Sequence, residues 1–358
     1  MKTIYSTILL LCLLMMGATS THAQGYAAFE DNRGAFYVFD QGDIKQVESQ
    51  QVKSYQVGRN FVAYVNTQGQ FKIYENGYAK TIRDNTPLNY AVTDYLMVFE
   101  LGGQLFAYDY RQSRRITNFL GYYASGDSLV AYVDFNKNLN AYYRGQNNNL
   151  EVFNFDSIRV GKNLIAYLDN IDQFYIYFAG NRDLIENFRT QGYKVGRNTV
   201  AYLDYMNRFK IYHKGNVVLA DPYSPRQYQV GDDKVAWVNR NGQLMMFDDG
   251  IITELENQPP DSMKLVDAVM AYYMPGRQFK AYYGGQVYDL ESYVPENVQL
   301  DNEVIAWLDY MGRVKSLYHG KVVEASDRIV RSYDLILDVI VCDVSLGLPK
   351  IYYQGRIY

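Results

Sequence analysis

The side chains that could do chemistry here are few, and their spacing limits what they could do. His213 and His319 are the histidines outside the N-terminal leader, and both fall in or beside glycine turns, where the expectation is a solvent-exposed turn residue. Cys342 is left alone once Cys12 departs with the leader, so no intrachain disulfide or cysteine metal cluster is open to the chain. A zinc site or a Cys–His nucleophile pair would need residues from distant stretches to converge, and neither a metal nor a cofactor is predicted. Asp134, Asp169, Asp204 and Asp309 recur just after an apolar run, with Asn66 and Asn239 in the same slot. Four acids on one rim would suit cation binding or paired-carboxylate catalysis. A turn also selects Asp or Asn at its first position, because the side chain accepts from the amides that follow. A catalytic pair is a singular event and this one repeats, so the turn role is expected and no catalytic residue is assigned.

Other motifs yield to the same weighing. Val57-Gly58-Arg59-Asn60, Val160-Gly161-Lys162-Asn163 and Val195-Gly196-Arg197-Asn198 look like basic loops, but none opens a helix, which removes phosphate cradling. They are expected to be punctuation between strands. Lys plus Arg is 35 against 39 for Asp plus Glu, so no basic excess exists to neutralise a nucleic-acid backbone. Tyrosine is abundant, with 37 residues, including the pairs Tyr142-Tyr143, Tyr272-Tyr273, Tyr282-Tyr283 and Tyr352-Tyr353. Exposed, they would stack sugars or anchor a partner. Placed within strands, they are expected to fill gaps between sheets. Arg111, Arg114 and Arg115 crowd into one irregular stretch and are the candidate binding residues; Gln146 to Asn149 and the proline loops at 220–227 and 257–263 are further irregularities.

What must position these residues is a repeat. A small residue followed by an aromatic or apolar one recurs at Ala28, Ala63, Val98, Ala131, Ala166, Ala201, Ala236, Ala271, Ala306 and Val341, at spacings of 35, 35, 33 and then 35 throughout. Gly42, Gly77, Gly145, Gly180, Gly215, Gly250, Gly285, Gly320 and Gly355 keep the same step, and the glycine missing near Gln112 belongs to the shortened unit that holds the arginines. Each unit spells short strands joined by tight turns, such as Phe71-Lys72-Ile73-Tyr74 running into Asn76-Gly77. The expected fold is all-β, a β-propeller of about ten four-stranded repeats over residues 24–358, with an open β-solenoid as the competitor. Ten blades at about 10 Å sheet spacing leave an inner radius of about 9 Å. One ring of ten therefore implies a wide or loosely filled centre, and two rings of five would close tightly. The unbroken spacing favours one ring. The first unit lacks the strand before Ala28 and the last ends near its fourth strand, so a C-terminal strand completing the first sheet is the expected closure.

The leader sets the address. Lys2, the apolar run Ile8 to Met16 and Thr21-His22-Ala23 form a secretory signal peptide over residues 1–23. A signal peptide ending at Ala23-Gln24, followed by tyrosine-rich strands, resembles exported proteins of Bacteroidota. In size and export the chain is similar to the plug proteins of the type 9 secretion translocon. That resemblance carries no functional residue across. It implies a soluble periplasmic protein occluding a large outer-membrane barrel. The expectation is thus a non-enzymatic protein-interaction scaffold or plug, not itself membrane-spanning; the rival is a lectin-like or polysaccharide-acting propeller, with transient cation binding at the acid-bearing rim as a third possibility.

Overall fold

Alternating apolar residues between turn residues fold every unit as an antiparallel meander, and ten such sheets follow one another around an axis. The computed structural model describes residues 25–109, 111–152, 155–344 and 348–358; the stretch 1–23 expected to be a signal peptide, with Cys12, lies outside them. Blades 1 to 10 cover residues 26–48, 54–83, 89–117, 120–151, 155–186, 192–221, 227–256, 262–291, 296–324 and 332–357. The described residues contain strands and turns, and no helix long and apolar enough to cross a membrane.

Strand position explains strand composition. The second strand of blade 2, Val62–Val65, is buried at every residue because sheets cover both of its faces. The first strand lies innermost, where glutamines bind neighbouring blades as a backbone would. The Gln56 amide donates to the Tyr90 carbonyl at 3.0 Å and accepts from the Val92 amide at 2.9 Å, and Gln229 and Gln299 repeat the clasp one blade on. The fourth strand is outermost, and in most blades it pairs with a register shift at the same place, as at Phe71/Lys72 and Phe209/Lys210. A bulged edge is a poor template for strand addition.

Tyrosine abundance has its cause between the blades. Tyr64, Tyr202 and Tyr272 are buried, and each hydroxyl donates to a glutamate ending the previous blade, Glu48 at 3.0 Å and Glu186 and Glu256 at 2.9 Å. Trp307 donates likewise to Glu291 at 3.1 Å, and Lys72, Lys210, Lys280 and Lys315 complete the four carboxylates from the third strand. An aromatic with a polar tip fills the gap and still satisfies its hydroxyl. None of the four tyrosine pairs projects freely outward: one or both members of each is buried and the rest are half-buried.

The ring is single. Core clusters join every adjacent pair of blades; one, built from Leu164, Phe174, Tyr193 and Tyr202, spans the boundary between blades 5 and 6 where two five-bladed rings would part. Closure differs from the strand-exchange expectation. Arg356–Ile357 pairs with Lys350–Tyr353 inside blade 10, and blade 1 keeps three described strands. Blades 10 and 1 join face to face instead, Ala27, Phe29 and Phe39 packing on Val339, Val341, Ile351 and Tyr353. Apolar burial closes the circle without a shared sheet.

Candidate functional site

In such meanders the first-to-second and third-to-fourth turns lie at one end of each blade, and the second-to-third turn and the exit connection at the other. The ring therefore has two loop faces, and their chemistry differs.

The first face carries the glycine-basic-asparagine motifs, which are more than punctuation. Adjacent backbones meet at these glycines: a Cβ on Gly161 would stand 2.1 Å from the Gly196 carbonyl oxygen, and one on Gly196 would stand 2.0 Å from that of Gly231. Blade-to-blade backbone bonds follow, including the Asp127 amide to the Lys162 carbonyl at 2.6 Å and the Lys162 amide to the Gly196 carbonyl at 3.2 Å. The basic residues then reach across the axis. Arg197 pairs with Asp232 at 2.8 Å, Asp127 at 3.2 Å and Asp94 at 3.4 Å. Lys162 pairs with Asp232 at 3.1 Å and also with Asp267. Arg59 donates to the Asn302 side chain at 2.9 Å, linking blades 2 and 9. The wide or loosely filled centre expected from ring size is thus bridged at this mouth by charged side chains.

Carboxylates outnumber cations in that network, and burial penalises their ionisation. Burial, then the neighbouring Asp94 charge, pushes Asp127 up to about 7. Burial likewise lifts Asp301 to about 7 and Asp338 to about 6. Around the axial network runs an amide chain one residue further along each motif: Ser128 donates to Asn163, Asn163 to Asn198, and Asn198 to Asp233.

The second face holds the recurring aspartates, and every one of them builds its turn. Oδ1 of Asp134 accepts from the amides of Asn136 and Asn138 at 2.9 and 3.0 Å. Asp169, Asp204 and Asp309 repeat this with residues two and four ahead. Asn66 and Asn239 make the second of these bonds. Burial alone would raise Asp204 and Asp309, but the amide and Arg208 or Arg313 hydrogen bonds outweigh it and hold both below the usual carboxylate range. Asp169→Ala is accordingly expected to cost about 1–3 kcal/mol in urea unfolding, whereas Asp169→Asn, which keeps the acceptor, stays within about 1 kcal/mol of wild type. A larger loss in the Asn variant would mean that the charge itself does something more.

Large apolar side chains stand exposed on this same face. Phe135 is 79% exposed and Tyr310 75%, both directly after a turn aspartate; Leu88 at 73% and Ile329 at 72% lie on inter-blade connections, as do Phe119 and Phe188. Phe188 and Tyr205 touch ring to ring at 5.1 Å, and Tyr293 and Tyr310 at 6.2 Å. The turns do not require them: Thr67-Gln68 and Arg240-Asn241 occupy the corresponding places in blades 2 and 7. In the sequence the belt shows only as apolar residues standing in turn slots.

The three candidate arginines do not converge. Arg111 sits in a turn of the first face, donating to Asn76 at 3.3 Å and lining a cavity of about 760 Å³ with Asn60, Tyr95, Asp109 and Arg144. Arg114 and Arg115 are successive residues of the outer strand of blade 3, on opposite faces of the sheet, and among the described residues Arg114 approaches a carboxylate, Asp109 at 3.6 Å, while Arg115 does not. Gln146 to Asn149 form part of an outer strand rather than a connection; Asn147 donates to the Ile116 carbonyl and Asn148 to Tyr177. His319 is exposed as expected. His213 is not: it is 8% exposed, held against the Phe247 ring and facing Asp233.

A family model described as a ten-bladed beta propeller domain matches residues 20–358. None of the curated proteins matches the chain. Among solved structures, the computationally designed Ika8 protein aligns at 11% identity and a TM-score of 0.34, covering 92% of this chain and 99% of its own. The CRINKLY WD40 ectodomain of the Arabidopsis thaliana receptor kinase ACR4 aligns at 11% and 0.36, covering 73% and 91%. The tricorn protease aligns at 13% and 0.34, covering 94% and 42%. Similarity at this level carries no functional argument.

Proposed function

Because the chain belongs to the ten-bladed β-propeller domain family, whose fold fixes a scaffold and not a chemistry, we propose that it is a non-enzymatic protein-interaction scaffold docking through its apolar loop face. In the finer form of this proposal the protein is exported to the periplasm, and its partner is an outer-membrane export barrel that it occludes. The belt around Phe135 and Tyr310 carries the reading. Turns of the same kind fold with Thr or Arg in these places, so the turns themselves do not call for the aromatics, and exposed apolar side chains distributed around one loop face offer anchors for a broad contact there. The charge-bridged axis favours an obstruction over a conduit. The turn aspartates are consumed by their own amides, which argues against paired-carboxylate catalysis on that face.

Affinity purification from native membranes in mild detergent, with mass spectrometry, tests this. Stoichiometric recovery of an outer-membrane barrel is expected from wild type. Phe135→Ser, Leu88→Ser, Tyr310→Ser and Ile329→Ser combined should lower recovery at least tenfold, since a few apolar anchors dominate such contacts. The melting temperature should hold, because these side chains bury little. Equal recovery by the variant, or a wild-type monomer without a partner, overturns the docking face.

Glycan recognition keeps one observation of its own. The cavity beside Arg111 gathers amides, Tyr95 and Asp109, the groups that hydrogen-bond and stack sugars. Array binding lost in Tyr95→Ala would support it, and a blank array would remove it.

A further inference from the structure

The geometry points to a divalent transition-metal site of the zinc type between blades 6 and 7, with His213, Asp233 and Asp249 as its protein ligands. His213 ends the third strand of blade 6, Asp233 lies in the first turn of blade 7, and Asp249 in its third-to-fourth turn. One potential ligand atom from each falls within 4.8 Å of the other two. Nε2 of His213 is 2.9 Å from Asp233 Oδ1 and 3.4 Å from Asp249 Oδ1. Tetrahedral zinc with bonds of about 2.0–2.2 Å holds its ligand atoms roughly 3.3–3.5 Å apart, so a few tenths of an ångström at Asp233 are all the first two ligands need to give. Two carboxylates and one imidazole leave a position for water.

The surroundings hold those ligands in place. His213 is buried, with its ring edge-on to Phe247 at 5.3 Å, which fixes the direction of Nε2. Asn198 donates to both oxygens of Asp233 at 2.9 and 3.2 Å, the kind of outer hydrogen bond that orients a ligating carboxylate. The Asp249 amide donates to the Asp233 carbonyl at 3.0 Å, tying the two ligand-bearing turns together. Lys214 supplies the positive charge in this arrangement, with Nζ 2.7 Å from Asp249 Oδ1 and 3.4 Å from Asp233 Oδ1. Its side chain is 44% exposed, so a dication can displace the ammonium into water without disturbing the core. Donor chemistry selects the metal class. An imidazole nitrogen disfavours calcium and magnesium, and the absence of thiolate among the three disfavours copper(I). Metal bound here crosslinks two blades and raises the unfolding temperature by mass action.

Zinc titration of the tag-free mature chain by calorimetry provides the test, with cobalt(II) absorption as the second readout. One zinc per chain is expected. Asp249→Asn, at an exposed position, weakens binding more than about tenfold. Lys214→Ala tightens it about fivefold by removing a competing charge, an effect that an ordinary ion-pair cluster does not produce. His319→Ala changes nothing. Cobalt gives tetrahedral visible bands without thiolate charge transfer, which excludes Cys342 as the ligand. His213→Ala abolishes binding if it folds, and the two surface variants decide the matter if it does not. No saturable binding, or binding indifferent to both Asp249→Asn and Lys214→Ala, overturns the site.

Discussion

Arg197→Met is expected to lower the unfolding free energy by about 3–5 kcal/mol at pH 8 and to recover much of that loss near pH 5.5. Removing one partner of a buried ionic cluster leaves uncompensated charge, and that penalty, not the net worth of the pairs, sets the magnitude. Arg197 touches Asp232, Asp127 and Asp94 at once, so three carboxylates lose a cation together. Lys162 still reaches Asp232, and Arg59 still reaches Asp94 at 3.4 Å, but Asp127 keeps no ion pair among the described residues. The pH dependence follows from the direction of the shifts. Asp127 and Asp301 titrate near 7 and Asp338 near 6 in the folded ring, above the ordinary aspartate value. Between about pH 4 and 7 the native state therefore binds more protons than the unfolded chain, and stability falls as pH rises through that window. Wild type should gain stability on acidification from pH 8 to about 5. Below about pH 4 it should lose stability, as Asp204, Asp309 and Asp233, whose values are depressed, take up protons. Without Arg197 the proton becomes the remaining route to neutralise Asp127, so the variant's pH slope is steeper. Urea unfolding at the two pH values measures both effects. A loss below about 1 kcal/mol at pH 8, or a flat pH profile in the variant, would show the mouth to be hydrated and loosely coupled.

Much of this architecture was legible, and the part that was not has a definite cause. Repeat spacing reports what recurs within each unit: strand, turn, glycine, and the Asp134-type turn builders all behave as their positions imply. It says nothing of which blades face one another across the axis. Arg59 and Asn302 are 243 residues apart, and Arg197 and Asp94 are 103 apart. Read instead as a column, the slot holds Arg59, Asp94, Asp127, Lys162, Arg197, Asp232 and Asp267, a ring of opposed charges at the repeat spacing. That signal lay in comparing units rather than within any one of them. His213 failed for a related reason. A histidine beside a turn looks exposed unless the next blade's turns, which carry Asp233 and Asp249, are known to fold over it. The apolar belt was hidden by its own regularity, since Phe135 and Tyr310 occupy slots assigned to turn formation.

Gly196→Ala should be among the most damaging single-atom additions the ring can suffer, costing more than about 3 kcal/mol or preventing folding. The added Cβ would stand 2.0 Å from the Gly231 carbonyl oxygen and 3.0 Å from its carbonyl carbon. A backbone carbonyl cannot swing aside as a side-chain tip can, and the Gly231 amide is itself bonded to the Lys234 carbonyl at 2.9 Å. Overpacking in an interior already at close-packed density commonly costs 1–3 kcal/mol, and here the obstruction is main chain on both sides. Gly215→Ala separates sterics from backbone preference. Gly215 has φ of +91° and nothing within 4 Å of an added Cβ, so it should lose only about 1 kcal/mol from the left-handed conformation. Closure amplifies the difference. An open solenoid could splay at one interface, but in a ring any widening between blades 6 and 7 must be absorbed by the other interfaces or break the seam where blade 10 meets blade 1, whose apolar packing is not backed by a shared sheet. Gly161→Ala, whose Cβ meets the Gly196 carbonyl at 2.1 Å, should therefore be as severe as Gly196→Ala, although it lies one blade away. Should either alanine variant melt within a few degrees of Gly215→Ala, the blades are not in contact at the axis, and the charged mouth is held by side chains alone.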